Sequence, residues 1–431
     1  MTDTNEPCIR SEADLKIACG SGHVDINLSK PADVIEIQVN KPEMTDGQIM
    51  ETLEGEGVYS FGINEIVEDA EKILLILPDA TRKSGAERFL PQIIEKIEAQ
   101  GKQFSLIVAV GTHRQPTEDE LKIIFTPDTY EKHKDKLIEH DCENYDEMDF
   151  YGVTKRKTTI LINKAYREHD TIITIGSVSY HYFAGYGGGR KLIVPGLASK
   201  KTIMNNHKLA LNTLLKQRDD KAVTGNLKHN PVNDDLVEMV MISRSAHTFF
   251  AVNTLLGSKG EITDMVCGDI FMSHMQAADR LDEISSVDAS KKYDVVYLSA
   301  GGSPKDINMV QAQKSLDRII PLLKEGAKVL FFAECVDGYG NSYFEEFFDR
   351  ESADIMLNEL LDDYQINRQT AYNLKSNLEK YDVYLYSEFD KSACERMGFK
   401  KLIDADEAAK FADEAENVAF IPQAYNIYPA K

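Results

Sequence analysis

The chain has few basic residues for its acidic content. Lysine and arginine total 49, aspartate and glutamate total 71, and the formal net charge is −22 over 431 residues. Nucleic acids and anionic membranes attract basic surfaces, so this balance argues against both as partners. A small anionic substrate would need a local basic pocket set against the acidic background.

Cysteine motifs and long apolar runs are also missing. The six cysteines are scattered without CxxC spacing, which favours neither a disulfide framework nor a zinc cage and fits a reducing cytosol. No uninterrupted apolar stretch reaches the ~18 residues that a membrane span requires, and the N-terminal residues carry no apolar signal core. These absences predict a cytoplasmic protein.

Short apolar runs that end in turns alternate with helical patterns, such as 85–98 and 306–323. Buried strands alternating with helices predict an α/β fold, and the length favours two domains. We expect each domain to have a largely parallel sheet flanked by helices, with the active site in the cleft between the domains. The predicted strands are Lys72–Pro78, Phe104–Val110, Thr171–Ile175, Tyr293–Ser299, Lys328–Ala333 and one beginning at Val418.

The charged stretch from Gly268 to Lys292 is the predicted domain boundary. We therefore expect an N-terminal domain over residues 1–275 and a C-terminal α/β domain over residues 276–431. The last strand could return to either domain.

The most informative stretch runs from His181 to Lys191 and is followed by Asn205-Asn206-His207. Glycines let a backbone approach a phosphate, and a nearby lysine can hold an anion or act as a nucleophile. Imidazole can move protons or bind a metal ion. The combination predicts a site for a charged, phosphorylated cofactor. The glycines of this stretch are Gly185, Gly187, Gly188 and Gly189.

Two common phosphate-binding motifs do not fit this stretch. A Walker A loop needs Ser or Thr after its lysine, but Leu192 follows Lys191. The dinucleotide fingerprint GxGxxG fails because Arg190 occupies the last glycine position. The plain alternative is a glycine-rich turn with a solvated Arg-Lys pair.

Further candidates also follow predicted strands. His113 lies in a Gly-Thr-His-Arg turn, and Asp79 and Arg82 share another turn. Asp79 could cap the next helix and pair with Arg82, or Arg82 could clamp a carboxylate or phosphate. Gln311 and Lys314 share one helix face, which could equally be solvated. Histidines in charged or polar surroundings are expected to be structural or superficial, namely His23, His133, His140, His169 and His274.

These residues resemble the nickel-dependent lactate racemase family, with its wider group of 2-hydroxyacid racemases and epimerases. Their order and spacing match, and the likeness extends over most of the chain. The matching pieces are Asp79-Ala-Thr-Arg82, Gly111-Thr-His113-Arg114, His181, Ala184-Gly185, Gly188-Gly-Arg-Lys191, His207, and Gln311 with Lys314.

The resemblance implies a nickel-pincer cofactor, pyridinium-3,5-bisthiocarboxylic acid mononucleotide, held in the N-terminal domain. It implies a covalent bond to Lys191 and nickel ligation by His207. Soft sulfur and imidazole ligands suit square-planar nickel. Asp79, Gly187, Gly188 and Gly189 would bind the cofactor, with the glycine loop as the expected seat of the nucleotide phosphate.

The resemblance also implies a mechanism, racemisation at C2 by proton-coupled hydride transfer. His113 and His181 would be the catalytic acid–base pair, one for each enantiomer. Arg82, Gln311 and Lys314 would bind the substrate carboxylate, the last two from the C-terminal domain. Enzymes that make the cofactor and insert nickel would be partners.

The chain departs from the family pattern at Val310, where lactate members carry a tyrosine. The lost hydroxyl predicts a roomier or more apolar pocket and a substrate larger than lactate. Asn230 and Asn233 stand in a segment where the family often has histidine. Two other hypotheses stay open, an NAD-dependent 2-hydroxyacid dehydrogenase, which the missing GxGxxG disfavours, and an inactive nucleotide- or metal-binding homologue.

Overall fold

The computed structural model of the protein describes residues 10–37, 41–244, 247–257 and 259–430. Strands and helices alternate along most of this chain, as the apolar runs predict. The strands are β1 Arg10–Cys19, β2 Gly22–Val34, β3 Lys72–Pro78, β4 Gln103–Ala109, β5 Leu137–Ile138, β6 Met148–Val153, β7 Thr159–Asn163, β8 Thr171–Ser177, β9 Tyr180–His181, β10 Gly185–Tyr186, β11 Leu211–Asn212, β12 Gln217–Arg218, β13 Thr248–Leu256, β14 Ile262–Gly268, β15 Ser286–Asp288, β16 Tyr293–Ser299, β17 Leu323–Phe332, β18 Asp382–Tyr386, β19 Lys400–Lys401, β20 Val418–Ile421 and β21 Tyr428–Ala430.

The helices are mostly short, and many begin at a residue whose side chain caps the first turn. Thr45 and Thr117, for example, each form a capping box with the third helical residue. Among the helices described, none combines the length and apolar character that crossing a membrane requires. The helices are α1 Asp46–Glu54, α2 Ile63–Asp69, α3 Leu90–Ala99, α4 Glu118–Phe125, α5 Pro127–His133, α6 Lys164–Arg167, α7 Lys200–Lys208, α8 Pro231–Ser243, α9 Met272–Ser285, α10 Met309–Ile319, α11 Ser342–Phe347, α12 Ala353–Asp362, α13 Ile366–Leu378, α14 Lys391–Met397 and α15 Ala405–Lys410.

The chain folds into two compact units. The central unit comprises the described residues of 39–210 and 219–281. The terminal unit comprises those of 1–38, 211–218 and 282–431. The predicted boundary at residue 276 lies inside α9, six residues before the division between the units.

The central unit contains a six-stranded sheet in the order β14-β13-β8-β3-β4-β5. All neighbouring strands are parallel except β13 and β14. Strand β3 is apolar along nearly all its length, and every residue after Lys72 is buried. Such a run suits a central parallel strand covered on both faces. The predicted α/β class is therefore confirmed for this unit.

The terminal unit has its own sheet, in the order β1-β2-β20-β16-β17-β18-β19. It is parallel from β2 to β19, and only β1 is antiparallel to its neighbour. Strand β20, the strand predicted to begin at Val418, lies in this sheet between β2 and β16. The N-terminal hairpin β1–β2 also belongs here, rather than with the central residues as the sequence analysis expected, because β2 pairs with β20.

Candidate active site

Three neighbouring strands of the central sheet end where the candidate residues begin. Strands β8, β3 and β4 are adjacent and parallel. Asp79 directly follows β3, His113 follows β4 by a short turn, and His181 follows β8. Because the carboxyl ends of parallel strands meet at one edge of the sheet, these three side chains start from the same edge.

Asp79 and His113 are bonded to each other. His113 Nδ1 lies 2.7 Å from Asp79 Oδ2, and the Asp79 side chain is 10% exposed against 51% for His113. Burial by itself raises the pKa of Asp79, but hydrogen bonds from His113 and Thr81 outweigh it and lower the pKa below its ordinary value of 3.8. An ionised carboxylate only accepts, so the imidazole donates from Nδ1, and in the neutral ring Nε2 keeps its lone pair.

The two plain alternatives for Asp79 are wrong. Asp79 caps no helix, because the next helical turn starts after Gly85, which provides no side-chain cap. Arg82 forms no ion pair with Asp79 among the described residues. It is exposed, and only its backbone N–H donates to the Asp79 carbonyl, at 3.0 Å. Its guanidinium is thus available for an anion.

The glycine segment forms a tight hairpin followed by a single helical turn. Strands β9 and β10 pair antiparallel, and a 3-10 turn over Gly189–Leu192 ends the segment. Gly188 has φ +79°, and a Cβ there would lie 2.7 Å from the Ser177 carbonyl oxygen. The close approach of loop to β8 therefore requires glycine at this position. The turn carries Lys191 back over the end of β8.

Lys191 keeps a small exposed fraction, and its Nζ makes no hydrogen bond or ion pair within the described ranges. Burial, followed by the positive charges of Arg82 and Arg190, holds the pKa of Lys191 well below its ordinary value of 10.5. The predicted alternative of a solvated Arg-Lys pair is wrong, since Arg190 is only 2% exposed. A neutral amine is a nucleophile toward carbonyl-type groups.

Arg190 is held by neutral partners. Its Nη1 lies 2.9 Å from His274 Nδ1, and its Nη2 donates to Asn233 Oδ1. His274 in turn donates from Nε2 to the Gly187 carbonyl at 2.8 Å. Burial, then the charge of Arg190, lowers the pKa of His274 to about 3, so the ring is neutral. This network anchors the glycine segment beneath Lys191.

Sequence reasoning missed the link between His274 and the glycine segment. The two lie 87 residues apart, and the polar surroundings of His274 gave no sign of burial. The unexplained asparagines near residue 230 were a partial signal. Asn233 accepts from Arg190, and Asn230 caps α8 while its Nδ2 donates to the Phe183 carbonyl at 2.9 Å.

His207 lies on α7 and is 8% exposed. Its Nδ1 lies 3.2 Å from Asn206 Oδ1, and Nε2 has no hydrogen bond among the residues that the structure describes. Burial lowers the pKa of His207 to about 3, which keeps the ring neutral. A neutral imidazole with an uncommitted nitrogen is a suitable metal ligand.

His181 is joined to His207 through an aromatic contact. The Phe183 ring meets His181 edge-on with centroids 4.6 Å apart and meets His207 edge-on at 4.8 Å. The Ala184 N–H donates to His181 Nδ1 at 3.2 Å. Because Nδ1 accepts, the neutral His181 ring carries its proton on Nε2.

Gln311 and Lys314 lie in the terminal unit, on the first turns of α10. Lys314 Nζ donates to Gln311 Oε1 at 2.7 Å, which confirms that the two side chains share one helix face. Val310 is half-buried beside them. Within the central unit, the structure thus brings Asp79 together with His113, and His181 together with His207 through Phe183. Lys191 lies within electrostatic range of Arg82 and His207.

Comparison with known proteins gives matches over both units. Residues 19–218 match the family profile described as the lactate racemase N-terminal domain, and residues 287–426 match the lactate racemase C-terminal domain. Lactate racemase of Thermoanaerobacterium thermosaccharolyticum is 31% identical over 294 residues, 68% of this chain and 66% of the relative. Lactate racemase of Lactiplantibacillus plantarum is 31% identical over 284 residues, 65% and 64% of the two chains.

Solved structures share the fold. The lactate racemase apoprotein from T. thermosaccharolyticum superimposes with a TM-score of 0.84 at 23% identity, covering 97% of this chain and 100% of that one. A structural-genomics protein from Thermotoga maritima superimposes with a TM-score of 0.67 at 16% identity, covering 90% and 99%. At these identities the superpositions establish the fold alone.

The fold and the family profiles together define a two-domain α/β protein with lactate racemase N- and C-terminal domains. The chain belongs to the lactate racemase family. Its aligned region spans slightly less than two thirds of the length of the two named relatives.

Proposed function

We propose that this protein is a racemase or epimerase that inverts C2 of a 2-hydroxy acid with a lysine-tethered nickel-pincer nucleotide. The observation that carries the proposal is Lys191. Burial, followed by the charges of Arg82 and Arg190, holds the pKa of its amine well below the ordinary value. The amine lies on a glycine-built turn and has no carboxylate partner among the described residues. Family membership supports the same activity.

The residues of the central unit fit the cofactor. Lys191 would form the covalent link, which needs an unprotonated amine. His207 would bind nickel through its uncommitted Nε2. The backbone of Gly187, Gly188 and Gly189 would receive the nucleotide phosphate. When bound, this cofactor supplies a hydride acceptor that returns the hydride to either face of the substrate carbon.

His113 and His181 supply complementary proton chemistry. His113 presents an unprotonated Nε2, because Asp79 holds its proton on Nδ1. His181 carries its proton on Nε2, because Nδ1 accepts from the Ala184 N–H. One ring can therefore remove the proton of the substrate hydroxyl, and the other can later return a proton to the same oxygen when the hydroxy acid re-forms. The roles reverse for the opposite enantiomer.

The substrate carboxylate would be bound by Arg82, whose exposed guanidinium has no carboxylate partner in the part of the chain that the structure describes, and by Gln311 and Lys314. Asp79 would support the cofactor site through His113. Val310 takes the place of a tyrosine hydroxyl, so we propose an acid with a larger or more apolar C3 substituent than lactate. The partners would be enzymes that build the cofactor and insert nickel, in the cytoplasm.

The fate of deuterium placed at C2 of the substrate tests this function. The protein is produced together with the cofactor enzymes and given C2-deuterated single enantiomers of lactate and larger 2-hydroxy acids, without NAD. We expect the opposite enantiomer to appear by chiral chromatography with its deuterium retained, because a hydride does not exchange with water. Exchange of deuterium into solvent would contradict hydride transfer.

Matched variants and cofactor controls separate the alternatives. Lys191→Ala should abolish interconversion, whereas Lys201→Ala, an exposed lysine on α7, should leave it unchanged. Keto acid formed only with added NAD would favour the dehydrogenase. No conversion of any acid tested, beside an active racemase control, would favour an inactive homologue.

A further inference from the structure

A buried amide lies directly before the proposed nickel ligand. Asn206 is 1% exposed and His207 is 8% exposed, and both lie on α7. Asn206 Oδ1 is 3.2 Å from His207 Nδ1. A metal-binding histidine is usually oriented by a hydrogen bond at its other ring nitrogen. If His207 Nδ1 carries the ring proton and donates it to Asn206, Nε2 is the nitrogen left to bind a metal.

The partners of Asn206 fix which way its amide faces. Asn206 Nδ2 lies 3.1 Å from the Val232 carbonyl oxygen and 3.0 Å from Asp235 Oδ2. A carbonyl and a carboxylate only accept hydrogen bonds, so the amide nitrogen must face them. The amide oxygen then faces His207, and an oxygen can only accept from Nδ1–H.

The carboxylate of Asp235 is itself held in place. It is fully buried and accepts from Thr154 Oγ1 at 2.6 Å and from Thr158 Oγ1 at 2.8 Å. The two threonines lie on the turn between β6 and β7, and Asp235 lies on α8. The orientation of Asn206 is thus set by two further elements of the central unit, and not by α7 alone.

We propose that Asn206 is a positioning residue, locked by Asp235, that holds His207 as the Nδ1–H tautomer and makes Nε2 its metal-binding atom. The metal-directing part of this role rests on the proposed function. Phe183, packed edge-on against the ring, limits rotation of the imidazole. A hydrogen-bonded carboxylate behind the amide makes the oxygen of Asn206 a stronger acceptor. The chain Asp235–Asn206–His207 then acts as one unit.

The tautomer is measured first, on wild-type protein made without the cofactor enzymes. Nitrogen-15 labelled histidine and long-range proton–nitrogen correlation distinguish Nδ1–H from Nε2–H rings. The His207 signals are assigned by their loss in His207→Gln. The proposal expects a neutral ring with its proton on Nδ1, and a ring with its proton on Nε2 overturns it. This result does not depend on any cofactor or on a variant that must fold.

Variants then test the effect on metal. Asn206→Ala should lose the Nδ1–H preference, whereas Asn205→Ala, the partly exposed neighbouring amide, should keep it. In protein loaded with cofactor, Asn206→Ala should keep the Lys191 adduct but bind nickel about 10- to 100-fold less tightly in competition with a chelator. An unchanged tautomer and unchanged nickel retention in Asn206→Ala overturn the proposal.

The proposed function fails in a different way. A wild-type protein that takes up neither adduct nor nickel contradicts that function and the metal-directing role with it. An Nε2–H ring in the cofactor-free protein contradicts the positioning role of Asn206 while the adduct and nickel still form.

Discussion

At the scale of single residues, Asp79 and His113 would together form the general base of the proposed function. The carboxylate is buried and accepts three hydrogen bonds, two from Thr81 and one from His113. The imidazole is half-exposed, and in the proposed function its Nε2 would take the substrate proton. Burial of the carboxylate and exposure of the ring therefore leave the reactive nitrogen at the surface of the site.

Asp79→Asn tests this division. The amide can offer its N–H to His113, which would move the ring proton to Nε2 and remove the base. We expect kcat to fall by about 100-fold or more, with a smaller change in KM. Steady-state rates in both directions of racemisation check this, and the exposed Asp128→Asn serves as control. Wild-type rates in Asp79→Asn would contradict the base role of His113.

Asp79 also gives stability a pH dependence. Its pKa is lowered in the folded protein, so the carboxylate stabilises the fold above the ordinary aspartate pKa of 3.8. The contribution is lost as the pH falls through the lowered folded value. We expect the difference in unfolding free energy between wild type and Asp79→Asn to shrink between neutral pH and this acid range. A difference in unfolding free energy that grows as the pH falls would contradict the hydrogen bond between Asp79 and His113.

The residue types of the site were predictable from the sequence, but their partners were not. Asp79 and His113 stand 34 residues apart, and only the parallel pairing of β3 and β4 makes them neighbours. The sequence assigns no role to Asn206, because its partner Asp235 lies 29 residues away on another helix. The type of a single residue does not indicate which distant residues its side chain contacts.

At the scale of elements, the glycine hairpin is shaped by its approach to β8. Gly185, Gly188 and Gly189 all have positive φ, and an added Cβ at each would meet another atom within 3 Å. At Gly185 and Gly188 that atom belongs to backbone, which cannot move aside cheaply. The hairpin therefore needs glycine at these positions for its own geometry.

A comparison of Gly188→Ala with Gly101→Ala separates the steric cost of an added Cβ from the cost of a left-handed backbone conformation. Gly101, at the end of α3, has a similar φ of +66° but open space around it. Gly101→Ala should destabilise by about 1–2 kcal/mol through backbone conformation alone. Gly188→Ala should add ~1–3 kcal/mol from overpacking against Ser177. Chemical denaturation of both variants checks this, and equal losses would contradict the crowded loop.

The elements themselves followed the apolar runs closely. Strands β3 and β16 occupy the ranges predicted for them, and β4 is displaced by one residue. Strand β17 starts at Leu323, earlier than predicted, because Leu323 already pairs with Tyr293 of β16 and a bulge separates this pair from the register that resumes at Lys328. The hairpin β1–β2 was not predicted, since its alternation of polar and apolar residues is interrupted by charges and a bulge.

At the scale of the whole molecule, the terminal unit is built from distant parts of the chain. The hairpin residues Leu15, Ile17 and Ile26 are buried in one cluster with residues of β16 and β17. Their sequence separation explains why a boundary read along the chain could not assign them. A division of the sequence into two consecutive domains cannot describe a sheet that combines strands β1 and β2, near the N-terminus, with strands from the C-terminal part of the chain.

A fragment experiment follows from this arrangement. Residues 282–431 alone lack β1 and β2, which exposes the edge of β20 and the apolar cluster. We expect this fragment to unfold without cooperativity or to aggregate, and joining residues 10–37 through a flexible linker to restore a cooperative transition. Circular dichroism during urea denaturation checks this. A cooperative transition in the shorter fragment would contradict the role of the hairpin.

The central claim is that Lys191 carries a tethered nickel cofactor, and intact mass together with nickel content tests it most directly. Protein co-produced with the cofactor enzymes is compared with Lys191→Ala and with Lys201→Ala. The account predicts an adduct and stoichiometric nickel in wild type and Lys201→Ala, and neither in Lys191→Ala. An unmodified wild-type mass, beside a known racemase that is modified under the same conditions, would contradict it.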